Sequence, residues 1–383
     1  MIPGHGYPPL NPMIVERNGS VMNLRRVSCH DAFWSASDHT VRPRLARRLF
    51  PGVIFLLALQ AGGLRGAEPG DGAVAGGELY ARVKQASLEI LVDDHLNGSG
   101  SLVDASGLAI TAAHVIGRPG NRLEVLSPVA GRRRAEVAAV DMGNDLALLR
   151  LEPRDGGYPF LPLADVSPPA GADVFLLGTP VFRHAVMFRG MVARDEPTFE
   201  YLNAGYVVVL AVAANVPSGT SGGPWVDRQG ALVGVQSGIM SNNGTPVGVA
   251  FAGTAGAVRR LLETRQSAST PNLGAAIEEP WQQGRDFLDR FPPRTEGLVV
   301  KVLQADGPAA RAGLKQWDLI VEADGQAVRL PDELLRIVRQ KKPGETFALT
   351  MLGPDGTGKR QVAVTLGRLE AAWPETSPAG KKP

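Results

Sequence analysis

From Glu78 onward, apolar residues recur in short runs separated by Gly, Pro and Asn turns. Leu79, Tyr80 and Val83 share one face of a short helix predicted over 78–85. Strand-like runs follow at 87–92, 100–103, 108–111, 122–126, 135–141 and 146–151, then at 173–177, 185–192, 206–213, 224–226, 232–237 and 247–251. Many short strands with little helix argue for barrels or a sandwich. A helix over 255–263 closes this region, and a polar, proline-containing connector at 267–272 marks a domain boundary. Beyond it the pattern changes to mixed α+β, with strands at 275–278, 297–302, 318–321, 346–352 and 361–366, a helical turn at 308–311 and a helix over 331–340. That helix carries Pro at its start and Asp and Glu in its first turn.

The N-terminal part reads differently. Residues 1–40 have no sustained period, and Arg42, Arg44, Arg47 and Arg48 precede a short apolar run at 49–59 and then Gln60-Ala61-Gly62-Gly63. A basic stretch, an apolar core too short for a confident span and small residues have the layout of an export signal. The expectation is an internal start near Val41, with 1–40 a gene-model extension and 41–67 a signal or an uncleaved membrane anchor. The Gly/Ala-rich stretch 68–77 then serves as a linker, and the Pro/Lys-rich end, 368–383, as a disordered tail.

The chain has 383 residues, enough for two domains, with 44% hydrophobic and 20% charged residues. A net charge of +2 without a basic, aromatic-interleaved stripe argues against nucleic acid as a partner. Cys29, the lone cysteine, lies before the folded part, which therefore holds no disulfide and no thiolate metal site. Histidine is scarce: only His95, His114 and His184 follow residue 40, so few remain to form a metal site or a general base, and no metal or cofactor is expected.

Three stretches carry candidate chemistry. Ser218-Gly219-Thr220-Ser221-Gly222-Gly223-Pro224 sets a hydroxyl among small residues, where backbone N–H groups can face charge developing on an attacked carbonyl. Alone it reads equally well as a turn. Thr111-Ala112-Ala113-His114-Val115 ends an apolar strand, and a lone histidine there is more often structural than catalytic. Asn144-Asp145-Leu146-Ala147-Leu148 places a carboxylate before an apolar strand, where burial demands a partner such as an imidazole N–H. Together they supply nucleophile, base and orienting acid.

In the order His114, Asp145, Ser221 these motifs resemble the chymotrypsin-like serine proteases, and within them the exported HtrA (Deg) family. Gly98-Ser99-Gly100-Ser101, Gly230-Ala231-Leu232-Val233-Gly234-Val235 and Gly248-Val249-Ala250-Phe251-Ala252 extend the likeness. The resemblance implies a mainly β fold, with a chymotrypsin-like double β-barrel over 78–265, in the periplasm or cell envelope. It makes Ser221 the nucleophile, His114 the base, Asp145 the orienting acid, and the Gly219 and Ser221 N–H groups the oxyanion hole. It places substrate on Val235, Gln236 and Ser237, with Asn215 and Val216 opposite. No acid lies over 211–220, so the expected preference before the cut is small to medium aliphatic. Two departures stand out: Asn215-Val216-Pro217-Ser218-Gly219-Thr220 before the serine, and Gly178-Thr179-Pro180-Val181-Phe182-Arg183-His184 in place of a glycine-rich loop.

Residues 271–367 resemble a PDZ domain, a smaller α+β module, through Asn272-Leu273-Gly274-Ala275-Ala276-Ile277, Ala309-Ala310-Arg311-Ala312-Gly313-Leu314 and Trp317-Asp318-Leu319-Ile320. Such modules capture peptide C-termini by adding them to a strand edge. Leu273, Gly274, Ala275, Ile277 and Leu335 are the implied groove residues, with Leu334 and Val338 as groove or core. The resemblance also implies unfolded or damaged envelope proteins as substrates and a homotrimer, for which Leu79 and Tyr80 are candidate contacts. Gly353-Pro354-Asp355-Gly356-Thr357-Gly358-Lys359 nearly spells a phosphate loop, but Arg360 stands where Ser/Thr would hold magnesium, and a hairpin turn fits better. Two rivals stay open: a catalytically silent, chaperone-like peptide binder, and a membrane-anchored PDZ scaffold.

Overall fold

The computed structural model describes residues 76–242, 244–353 and 358–370. The expected extension at 1–40, the signal or anchor at 41–67, residues 68–75 of the linker and 371–383 of the tail lie outside the described residues. The bounds are corrected at 76–77, which begin a helix, and at 368–369, where Arg368 pairs with Pro271 and Leu369 is buried. No helix among those described is long and apolar enough to cross a membrane.

Helix α1 (Gly76–Ala86) leads into β1 (Ser87–Val92), β2 (His95–Leu102), β3 (Leu108–Ala112), β4 (Leu123–Ser127), β5 (Gly131–Asp141) and β6 (Leu146–Leu151). These six strands close into a barrel in the order β1-β2-β3-β6-β5-β4. β3 is buried along its whole length and β6 everywhere but Arg150, which explains their near-continuous apolar runs. Leu79 is 3% exposed and packs with Val83, Val226 and Leu232, so its side chain is used within its own core and corrects the expected intermolecular role. Tyr80 is half-buried, and its hydroxyl donates to Ala185 O at 3.0 Å.

The second barrel uses β7 (Asp173–Gly178), β8 (Val186–Val192), β9 (Thr198–Leu202), β10 (Gly205–Ala213), β11 (Pro224–Val226), β12 (Leu232–Asn242) and β13 (Thr245–Thr254). Its order is β13-β12-β11-β7-β8-β10, closed by pairing of β10 with β13. Only residues 210–213 of β10 join that closure; residues 205–209 leave the barrel and pair with β9. The strand β9 was not anticipated. Asn203 and Ala204, both at positive φ, form its turn with β10. Helix α2 (Ala255–Thr264) is capped by the Thr254 hydroxyl, which accepts from Ala257 N at 3.2 Å.

The third unit begins with β14 (Pro271–Asn272) and β15 (Ala275–Glu278), followed by α3 (Arg285–Leu288), β16 (Leu298–Leu303), α4 (Pro308–Arg311), β17 (Leu319–Ala323) and β18 (Gln326–Ala327). Then come α5 (Pro331–Arg339), β19 (Thr346–Leu352), β20 (Lys359–Thr365) and β21 (Gly367–Arg368). The main sheet runs β15-β16-β17-β19-β20, so β15 is an edge strand. Leu334, Leu335 and Val338 of α5 are buried in its core. β19 and β20 pair antiparallel with Leu352 opposite Lys359, and residues 354–357 of the near-phosphate-loop motif lie outside the described residues.

Candidate active site

The register of β3 against β6 sets Ala112 opposite Leu146, so the residues just beyond each strand end meet. His114 sits in the short helical turn Ala113–Val115, and Asp145 precedes β6 at φ 50°, a left-handed conformation that aspartate tolerates. Ala113 N donates to Asp145 O at 3.0 Å, locking the two chain segments together.

Asp145, 2% exposed, receives three donors. His114 N reaches Oδ1 at 3.0 Å, His114 Nδ1 reaches Oδ2 at 2.8 Å, and Ser237 Oγ reaches Oδ2 at 2.5 Å. Burial pushes the Asp145 pKa up, but the His114 charge and these hydrogen bonds outweigh it and hold it below the ordinary carboxylate value. Burial likewise pulls His114 down, and the Asp145 carboxylate more than offsets this, raising the imidazole above its ordinary 6.5. With Nδ1–H committed to Asp145, the neutral ring offers Nε2 as the basic nitrogen.

The Ser221 loop is built by its backbone. Ser99 N donates to Ser221 O at 2.7 Å, Gly222 N to Gln236 O at 2.7 Å, and Gln236 N to Gly223 O at 2.9 Å. Gly222 has φ 81°, and a Cβ there would collide with Ser99 O and Thr111 Oγ1. Ser218 O accepts from Val181 N at 3.0 Å, and Gly219 O from Ser99 Oγ at 2.9 Å, so the carbonyls before the nucleophile are held by neighbouring loops. Thr220, directly before Ser221, donates from Oγ1 to Pro217 O at 2.8 Å and tightens the same turn. Among the described residues no hydrogen bond joins Ser221 Oγ to His114; an apo serine–histidine contact commonly tightens only with substrate bound.

The other expected site residues divide. Ser237 sits on the acid. Asn215 is exposed, whereas Val216 and Val235 are buried in barrel cores. The Gln236 side chain is taken up structurally, accepting from Trp225 Nε1 and donating to Gly238 O, both at 2.8 Å. Four residues, Ser99, Thr179, His184 and Glu89, had no assigned role. Ser99, inside the Gly98-Ser99-Gly100-Ser101 match, braces Gly219 and also accepts from Thr179 N at 3.1 Å. Thr179 Oγ1 and His184 Nδ1 both meet Glu89 Oε1, at 3.0 and 2.6 Å, tying the 178–184 loop to β1. In this loop Val181 and Phe182 have φ 44° and 62°, sterically uncommon for such side chains, and each is about half exposed.

Comparison with known proteins agrees with this geometry. Residues 98–235 match the trypsin-like peptidase domain and residues 282–364 the PDZ domain. A probable periplasmic serine endoprotease, DegP-like, of Pseudomonas fluorescens is 31% identical over 280 residues, covering 71% of this chain and 56% of the relative. One from Halomonas elongata is 30% identical over 285 residues, covering 73% and 57%. The chain thus spans little more than half the length of these relatives. The HtrA-type protease AlgW with decapeptide matches at a TM-score of 0.54 and 21% identity, covering 78% of this chain and 99% of that one. The serine endoprotease from Yersinia pestis matches at 0.53 and 22%, with 78% and 99% covered. The paired barrels, the edge-stranded third unit and these relatives together place the chain in the family of trypsin-like peptidases followed by a PDZ domain, to which the DegP-like serine endoproteases belong.

Proposed function

We propose that the chain is a serine endopeptidase of the periplasm or cell envelope that cleaves unfolded or damaged proteins. The observation that carries this reading is the buried Asp145 carboxylate holding His114 Nδ1 at 2.8 Å, beside a serine loop with fixed carbonyls. Ser221 Oγ attacks the peptide carbonyl carbon and passes its proton to His114 Nε2; Asp145 stabilises the imidazolium so formed. The Gly219 and Ser221 N–H groups receive the oxyanion, a role supported by the engagement of the Ser218 and Thr220 carbonyls, which share their peptide planes, by Val181 N at 3.0 Å and Gly223 N at 2.9 Å. His114 then protonates the leaving amine, and water releases the acyl group by the same steps in reverse.

The catalytic unit spans 78–265 and the peptide-binding unit 271–367. Substrate lies along the backbone of 235–237 and beside Asn215, with a small to medium aliphatic residue before the cut. The PDZ unit takes peptide C-termini along Leu273, Gly274, Ala275 and Ile277 of the loop and edge strand, beside Leu335 of α5. Export through 41–67 and assembly into trimers complete the reading.

The test is degradation of unfolded casein by the full chain beside Ser221→Ala, with an active-site serine probe on both. Cleavage and labelling that disappear together in the variant support the reading. Absence of both in the unaltered protein rejects it in favour of a silent peptide binder.

A further inference from the structure

The β9–β10 hairpin extends from the second barrel to the third unit. Tyr206, 9% exposed, belongs to one buried cluster with Leu273, Ile277 of β15, and Leu335 and Val338 of α5. Its hydroxyl accepts from Ile277 N at 2.8 Å and donates to Ile277 O at 3.1 Å. β15 pairs with β16 along its other side, so Tyr206 occupies the edge left open for an added strand. The remainder of the hairpin fastens it there. Phe199 N and Thr198 Oγ1 donate to Asp332 at the start of α5, Arg339 at its end donates to Tyr206 O, and Gln304 donates to Ala204 O. The Tyr201 ring meets Tyr206 edge-on at 5.1 Å, and the Arg339 guanidinium lies 5.6 Å from the Phe199 ring centroid.

We propose that Tyr206 is a built-in occupant of the PDZ groove, satisfying the backbone of Ile277 in place of a peptide, so that an extended peptide with a free carboxylate binds only by displacing the hairpin. This rests on the reading of 271–367 as a peptide-binding unit. Strand addition draws affinity from hydrogen bonds to the sheet edge, and those of Ile277 are already made. Peptide affinity is therefore reduced by the fraction of molecules with the hairpin docked.

The test uses the full chain with Ser221→Ala, to prevent cleavage, and the same protein with Tyr206→Phe or Tyr206→Ala added. The probe is a pool of fluorescein-labelled decapeptides randomised over their last four positions, with its amidated counterpart as control. Tyr206→Phe, which removes only the hydroxyl, is expected to bind the free-carboxylate pool about tenfold more tightly, the equivalent of one to two net hydrogen bonds. Its Ile277 amide should also exchange with deuterium faster, and Tyr206→Ala should bind more tightly still. Equal binding by unaltered and Tyr206→Phe proteins, with Ile277 exchange unchanged, would overturn the occlusion and leave the peptide-binding reading intact. No binding by any natively melting variant would overturn both. If Tyr206→Ala fails to fold, Tyr206→Phe decides alone.

Discussion

Replacing Ser99 by alanine removes one hydroxyl that is itself nowhere near the nucleophile in sequence, yet acts on the loop that carries it. Ser99 is 2% exposed; its Oγ donates to Gly219 O at 2.9 Å and accepts from Thr179 N at 3.1 Å. The substitution releases the Gly219 carbonyl and leaves the Thr179 N–H, itself in a buried residue, without that partner. Two lost hydrogen bonds of about 1 kcal/mol each, plus part of the desolvation of an orphaned donor, come to about 2–3 kcal/mol. If the loss frees the Gly219–Thr220 peptide, which joins the two proposed oxyanion donors, it appears mainly in kcat, as a fall of about 30- to 150-fold with little change in KM. The assay is steady-state cleavage of a chromogenic peptide, with thermal melting alongside. A melting temperature lowered by several degrees with kcat intact would refute the argument, because Ser99 would then brace the barrel and not the oxyanion loop.

Three further outcomes follow from the same geometry. The raised His114 pKa means the base becomes neutral only as pH climbs past its ordinary 6.5, so the acid limb of kcat/KM should lie above that value. Gly222→Ala places a Cβ against Ser99 O and Thr111 Oγ1 at φ 81°, and should abolish labelling by a serine probe while circular dichroism still reports folded barrels. Burial and the facing Asp332 carboxylate raise Glu200 of the hairpin to about 7, with Arg194 pulling it back. An acid raised on docking favours the docked state when protonated, so docking is strongest below the ordinary 4.5 and weakens as pH rises towards 7. Peptide-pool binding should therefore tighten between about pH 5 and about pH 8 and become nearly pH-independent in Glu200→Gln, as anisotropy titrations would register.

Much of the site was legible because its residues belong to strand ends. His114 and Asp145 each follow or precede a run buried enough to read as a strand, and the β3–β6 register brings them together without any long-range guess. What stayed hidden depends on contacts between distant segments. Thr198-Phe199-Glu200-Tyr201-Leu202 alternates as a strand does, but its pairing is missed because Phe199 and Tyr201 pack against the third unit, while Leu202 packs with Val207, Val209 and Phe251. Ser99 lies in a quoted motif, but its role rests on Gly219 and Thr179, 120 and 80 positions away. Val216 and Val235 look like pocket residues because they flank the nucleophile loop in sequence, yet their side chains point into barrel cores. Chain proximity locates a backbone and does not decide on which side of the strand a side chain falls.

Strand β10 gives the two units a shared mechanical element. Its first residues carry Tyr206 into the PDZ groove, and its last run straight into Ala214, Asn215 and Val216 beside the proposed substrate path. Between these ends, Val208 N donates to Gly143 O at 2.9 Å, in the turn that delivers Asp145. Arg339 closes the same joint: it bonds Tyr206 O, packs so tightly on Gly143 that a Cβ there would collide with it, and faces Asp141. Burial lowers this guanidinium to about 10 against the pull of Asp141, and it remains a cation at neutral pH. A buried cation loses stabilisation when its neighbours move apart, so withdrawal of the hairpin removes a partner from Arg339 and a donor from Gly143 in one motion. Displacement at the groove is therefore expected to bear on the turn that carries Asp145, with β10 and Arg339 among the physical connections.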